Sequence, residues 1–332
     1  MSSTHLRPAS LDRRQMLQST TLAAAAWGVS SMMSHAEEPT APHAATAKLA
    51  RRAEPVKYCL NMSTVRGQSL SVPQQVKLAA DAGYAAIEPW LGDLNKYLEA
   101  GGTTAELKKM IADAGLTVDS AIGFAEWIVD DDERRAKGLE QAKRDMQLIA
   151  DIGGTHIAAP PAGATNQTDL NLFKAAERYR KLLEIGVEIG VIPQVEVWGF
   201  SKSLSRLGET MFVAVESGHP AACILPDVYH IYKGGSDFAG LDMIRGAAIH
   251  CFHMNDYPAD PPRETIKDAD RVFPGDGIAP ITKILKNLFA GGFSGTLSLE
   301  LFNPEYWKRP ALEVAQEGLA KMKASVEKAI AS

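Results

Sequence analysis

The sequence predicts a single α/β domain built as a (β/α)8 barrel, eight parallel strands each followed by a helix. Three observations predict it. From residue 55 onward, short β-branched runs alternate with longer amphipathic stretches, the pattern of strand–helix units. Several helical stretches stop on glycine just before the next strand, at Gly83, Gly115, Gly153 and Gly190, where a left-handed residue closes a helix. Residues able to bind a metal stand at the ends of the later strands, the place where such barrels carry function.

The strands are expected at 56–63, 84–88, 117–122, 155–159, 192–197, 222–226, 248–254 and 296–301. The helices are expected at 72–82, 104–114, 131–152, 170–189, 204–216, 238–246, 281–288 and 311–330. Strict alternation implies right-handed crossovers and a parallel sheet. Eight strands close a barrel. An open doubly wound sheet is the alternative, but no Gly-x-Gly-x-x-Gly follows the first strand.

The N-terminus reads as an addition to that domain. Arg13-Arg14 precede apolar positions, an alanine-rich run at 22–29 and the small-x-small triplet Ser34-His35-Ala36. Residues 1–36 are therefore expected to be a twin-arginine signal peptide, 37–54 a polar linker and 55–332 the barrel. The apolar run is too short, and too rich in Ala, Ser and Thr, for a stable membrane anchor. The expected location is the periplasm or another exported compartment.

The chain's formal charge is −5, and its first 36 residues carry +2, so the remainder carries −7. An acidic domain without a basic run is a poor partner for nucleic acid. Its three cysteines, Cys59, Cys223 and Cys251, all lie in apolar runs. An odd number in that setting argues for core packing rather than a disulfide framework.

Glu196, Asp227, His253 and Glu300 each sit on a short apolar run, separated by 31, 26 and 47 residues. Those gaps match one or two strand–helix units, so the four side chains converge on one barrel mouth. Strand parity agrees. Gln194 and Glu196 share a face, as do Cys251, His253 and Asn255, and Ser298 and Glu300. Each has a bland reading when taken singly: a salt-bridged strand end for Glu196, a helix cap for Asp227, a core histidine for His253. A lone Glu300 between Leu299 and Leu301 would be costly to bury. Together, three carboxylates and an imidazole make a hard site for one divalent ion such as Mn2+, Mg2+, Co2+ or Zn2+.

Val195-Glu196-Val197, Asp227-Val228-Tyr229-His230, His253-Met254-Asn255-Asp256, Pro274-Gly275-Asp276-Gly277 and Leu299-Glu300-Leu301 carry a resemblance. The sequence resembles the xylose isomerase-like TIM-barrel superfamily of sugar phosphate isomerases and epimerases, which includes ketose 3-epimerases, inosose-processing enzymes and hydroxypyruvate isomerase. The resemblance implies one divalent ion on the residues matching Glu196, Asp227, His253 and Glu300. It also implies that Glu196 and Glu300 are the catalytic acid/base pair and that His230 touches substrate. The expected reaction is proton transfer next to a carbonyl, isomerising or epimerising a small carbohydrate.

Trp90, Trp127, Trp198 and Phe200 follow expected strands and could wall the sugar. Glu88 ends the second strand, where its counterpart in relatives lies near substrate. Arg271 could bind a substrate oxygen. Two departures count against a simple free-ketose epimerase: Ala259 and Lys202 stand where those enzymes have an arginine and an acidic residue. Rival readings are a lyase or hydrolase of oxidised (3-keto) glycosides, a non-catalytic sugar-binding protein, and a three-zinc endonuclease, whose extra histidines are missing from the early strands. The expected partner is a small carbohydrate, and a homo-oligomer is compatible with the sequence.

Overall fold

A computed structural model describes residues 56–332; the expected signal peptide and linker lie outside the described residues. Seven strands form ladders: β1 (Lys57–Asn61), β2 (Ala86–Glu88), β3 (His156–Ala159), β4 (Ile192–Glu196), β5 (Ile224–Leu225), β6 (Cys251–Met254) and β7 (Thr296–Leu299). All pairings are parallel, in the orders β2-β1-β7-β6 and β3-β4-β5.

The strand expected at 117–122 is the exception. It forms no ladder, only single bridges from Thr117 to Ala86 and from Ile122 to Trp90. Its middle residues engage their side chains instead: Asp119 meets Lys57 at 2.9 Å and Thr296 at 2.5 Å, and Ser120 accepts from Gln194 at 3.2 Å. The segment still stitches β2 to β3, because Ile87 N donates to Thr117 O (2.9 Å) and Ala158 N to Ala121 O (2.8 Å). The other gap closes where His253 N donates to Pro226 O (3.0 Å) and Ile224 bridges Ile249. Eight segments thus complete the ring, and their C-terminal ends share one mouth.

Seven of the eight expected helices fall where periodicity placed them, from Val72–Ala82 to Ala311–Ala331. Leu172–Ile189 shows why. It buries Ala175, Ala176, Tyr179, Leu182, Leu183 and Gly186 along one stripe, and Tyr179 Oη bonds Pro193 O and Cys223 O at 2.8 and 2.9 Å. Each fully buried leucine in such a stripe contributes about 1.5–3 kcal/mol. Gly83 and Gly190 close their helices with φ of 90° and 89°, as the sequence predicts. The stretch expected at 238–246 forms 3-10 turns, Phe238–Met243 and Gly246–Ala248, rather than a helix. Short helices at Leu91–Glu99, Val228–Lys233 and Pro304–Trp307 were not expected, because so few turns leave little periodic signal. All three cysteines are free and buried. Among the described residues, no helix is long and apolar enough to cross a membrane.

Beyond β6 the chain leaves on a long loop pinned by Asp256. Its carboxylate accepts from Tyr257 N (2.7 Å), Gly275 N (2.9 Å) and Ala279 N (2.9 Å). A Cβ on Gly277 would stand 2.2 Å from Tyr257 O, so glycine is required for that approach. Asp256→Ala strands three amide donors, each costing about 1–3 kcal/mol when buried and unmade. We expect a loss of about 3 kcal/mol in urea unfolding; an unchanged midpoint would show that water replaces the carboxylate.

Candidate metal centre and active site

Glu196 ends β4, Asp227 follows β5 by two residues, His253 lies in β6 and Glu300 follows β7 directly. All four are almost completely buried. They converge on one atom, His253 Nδ1, which lies 3.2 Å from Glu300 Oε2, 3.8 Å from Asp227 Oδ2 and 4.0 Å from Glu196 Oε1. One oxygen each from Asp227 and Glu300 and a ring nitrogen of His253 lie within 4.8 Å of one another. His253 Nδ1 is itself buried without a hydrogen-bond partner. A buried nitrogen facing three carboxylates needs a proton or a cation to balance them, and a bound cation would do so. The oxygen-rich donor set fits a divalent ion.

Asp227 serves two ends. Its Oδ1 caps the helix Val228–Lys233 by accepting from His230 N at 2.8 Å, so the bland reading holds for one oxygen. Its Oδ2 faces the centre, taking bonds from Asn255 Nδ2 (2.9 Å) and Arg271 Nη1 (3.0 Å). Arg271 Nη1 also meets Glu300 Oε2 at 2.8 Å, while Nη2 meets Asp268 at 2.5 Å and His230 Nε2 at 3.0 Å. The guanidinium is fully buried and lies over Tyr229, 4.4 Å from the ring centre.

The two glutamates are driven in opposite directions. Burial, reinforced by Glu300 and Asp227, pushes Glu196 up to about 8 despite the attraction of His253. Burial also opposes ionisation of Glu300, but His253 and Arg271 overcome it and hold that carboxyl well below its usual range. For His253, burial works against the charged form, yet Glu300 and Glu88 raise its pKa well above normal. His230 is kept below its ordinary value by burial and Arg271, against the pull of Asp227.

Beside these groups lies a cavity of about 210 Å3. Trp90, Phe124, Trp198, Phe200 and Phe302 form its aromatic wall, and Glu196, His230, Arg271 and Glu300 its polar lining. The rings are continuous, with centroids 5.4 Å apart for Trp90–Phe124, 6.0 Å for Phe124–Trp198 and 5.1 Å for Trp198–Phe200.

The Xylose isomerase-like TIM barrel family matches residues 76–325. The chain belongs to this family. It is 26% identical over 283 residues to the inosose isomerase of Bacillus velezensis, covering 82% of this chain and 98% of that protein. It is also 25% identical over 260 residues to the 3-dehydroshikimate dehydratase of Pseudomonas putida, over 76% of this chain but only 39% of the longer dehydratase. A solved IolI protein with a zinc atom shares the fold at TM-score 0.76 and 22% identity, across 82% of this chain and 99% of that one. The relatives thus include isomerases and dehydratases within one barrel family.

Within that family barrel, two expected substrate contacts lie elsewhere. Trp127 is 1% exposed, its Nε1 donating to Pro160 O at 2.8 Å and its ring 5.8 Å from Tyr179. It turns outward under the helices, and Phe124, three residues earlier, takes the wall position. Glu88 is fully buried behind His253, bonded to Nε2 at 3.1 Å, and does not line the cavity. Trp90, Trp198, His230 and Arg271 do line it, Arg271 as a buried cation rather than an exposed loop residue. Sequence reasoning missed Phe302, Asn61 and the bond from Asn255 to Asp227. Phe302 was within reach of the parity rule, two residues past Glu300; parity did place Asn255 on the face of His253, but not its bond to Asp227.

A second set of donor atoms, on Glu88, Cys251 and His253, lies at the back of the same imidazole. Burial and Glu88 push the Cys251 thiol up to about 12. On that side Nε2 is already bonded to Glu88 at 3.1 Å, so the Nδ1 side is where an ion fits.

Metal binding must follow pH. Glu196 is neutral below about 8 and His253 is protonated, and each must lose a proton before it can be a ligand. Free protonated sites therefore weaken binding at low pH, and affinity rises with pH. Calorimetric titration with Mn2+ in two buffers is expected to show proton release, with affinity rising about tenfold per pH unit for each proton displaced. Pure electrostatic attraction without proton release would contradict this assignment.

Proposed function

We propose that this protein is a divalent-metal-dependent isomerase or epimerase of a small polyhydroxylated ketone or aldehyde. The observation that carries the proposal is the pair Glu196 and Glu300, two carboxyls that line one cavity together with His230 and Arg271. One carboxyl can remove a proton while the other returns one.

Asp227, His253, Glu196 and Glu300 would hold the ion, which when bound supplies positive charge to stabilise negative charge developing on substrate oxygens. Glu300, held ionised, removes the proton from the carbon next to the carbonyl. Glu196, the other carboxyl of the pair, returns a proton. Delivery to the same carbon from the other face produces an epimer; delivery to the neighbouring carbon produces an isomer. His230 and Arg271 line the same cavity and are placed to bind substrate oxygens. The aromatic wall packs against the apolar faces of the carbohydrate and keeps water from the reacting carbon.

The similarity to the Pseudomonas putida dehydratase favours a second reading, elimination of water after the same proton removal. In that case Glu196 or His230 would protonate the departing hydroxyl. A lyase acting on an oxidised (3-keto) glycoside is a variant of this chemistry. The acid/base pair argues against a binding protein without activity.

The Mn2+-loaded protein, given an inosose in deuterated water, is expected to incorporate deuterium next to the carbonyl without losing a hydroxyl. Glu300→Gln or Glu196→Gln should slow the exchange by about 10²–10⁴-fold with the circular dichroism spectrum unchanged. An enone absorbance would move the assignment to the dehydratase reading. Near-normal exchange in either variant would sink the proton-transfer roles.

We also infer export by the twin-arginine route, supported by Arg13-Arg14 and the alanine-rich run after them. Fractionation of cells expressing Arg13→Lys/Arg14→Lys should find the precursor retained in the cytoplasm. Normal export of that variant would contradict the route.

A further inference from the structure

The barrel interior beneath the candidate metal centre is polar where a closed barrel ordinarily packs branched aliphatic side chains. At its middle lies Glu88, fully buried on the last residue of β2. Four side chains converge on its two oxygens. Oε2 receives Ser298 Oγ at 2.6 Å, Asn61 Nδ2 at 2.8 Å and His253 Nε2 at 3.1 Å. Oε1 lies 3.2 Å from the same nitrogen and 4.0 Å from Cys251 Sγ.

An ionised carboxylate only accepts hydrogen bonds. The amide of Asn61 can offer it only N–H, since Asn61 Oδ1 is already taken by Trp90 Nε1 and Ser63 N, each at 2.9 Å. The hydroxyl of Ser298 and the thiol of Cys251 complete a shell of donors. His253 must therefore also present N–H to Glu88, which puts the ring proton on Nε2. The proton that His253 gives up to bind an ion is then the one on Nδ1, the buried atom that faces Glu196, Asp227 and Glu300.

We infer that Glu88 is a positioning residue that fixes the tautomer and ring angle of His253, so that Nδ1 alone can bind the metal. The inference rests on the reading of the mouth as a metal centre. It adds a role for a residue that touches neither the cavity nor the ion. The same network reaches further: Asn61 Nδ2 also meets Glu300 Oε1 at 3.2 Å. One buried carboxylate therefore steadies the imidazole directly, and through Asn61 the base and the Trp90 wall. Partners of metal-bound histidines of this kind change metal affinity about 10–100-fold when removed.

Glu88→Gln keeps the volume but brings an NH2 group toward a ring of donors. Calorimetric titration with Zn2+ should give a dissociation constant about 10–100-fold weaker than that of the unmodified protein. Asp227→Ala should abolish stoichiometric binding and serves as the reference for the centre itself. If Asp227→Ala loses the ion while Glu88→Gln binds within twofold of normal, the positioning role is overturned and the metal centre stands. If the unmodified protein binds no Zn2+, both fall together. Long-range proton–nitrogen NMR of the Zn2+-loaded unmodified protein supplies a readout that needs no variant to fold. A proton on Nε2 of His253 supports the inference; a proton on Nδ1 with Nε2 toward the ion overturns it.

Discussion

Buried acidity is the constraint on which the rest of this structure depends. Glu88, Glu196, Asp227 and Glu300 are all nearly inaccessible at one end of the barrel, where an uncompensated carboxylate costs several kcal/mol. The protein answers with Arg271, with the imidazole of His253 and with a proton on Glu196. Protons on Glu196 and His253 carry the same charge as one divalent cation. Exchange of the two protons for an ion would preserve the balance of the site.

That balance explains the polar layer below the mouth. Cys251, Ser298 and Asn61 point inward where aliphatic packing would be cheaper, and each spends a donor on Glu88. On the rim, Gly199 allows a close approach. Its Cβ would stand 2.3 Å from His230 O, and its N–H lies 3.3 Å from His230 Nδ1, so the chain can pass close behind that ring.

The loop after β6 ties the site to the fold. Asp256 pins its two ends together, and the stretch between them delivers Arg271 into the centre. Asn303 Nδ2, at the cap of the helix Pro304–Trp307, then holds Arg271 O at 3.0 Å. The arginine that neutralises Asp227 and Glu300 thus comes from an irregular segment rather than from a strand. Displacing that loop would disturb the pKa of Glu300 and the shape of the cavity together.

The barrel, the strands that carry or lead into Glu196, Asp227, His253 and Glu300, and their shared mouth are all legible in the sequence. Alternation and gap lengths are local properties, and a parallel barrel converts them directly into position. Tertiary structure decided the rest. The sequence places Glu88 at the end of a strand, but not His253 Nε2 opposite it. Trp127 follows a strand just as Trp90 does, yet the loop from 123 to 131 carries it out under Tyr179. Arg271 sits in a segment without period, so only the closed fold brings its guanidinium to two carboxylates 29 and 44 residues away in the chain. Periodicity records which face of its own element a side chain occupies, and contains nothing about what another element sets against it.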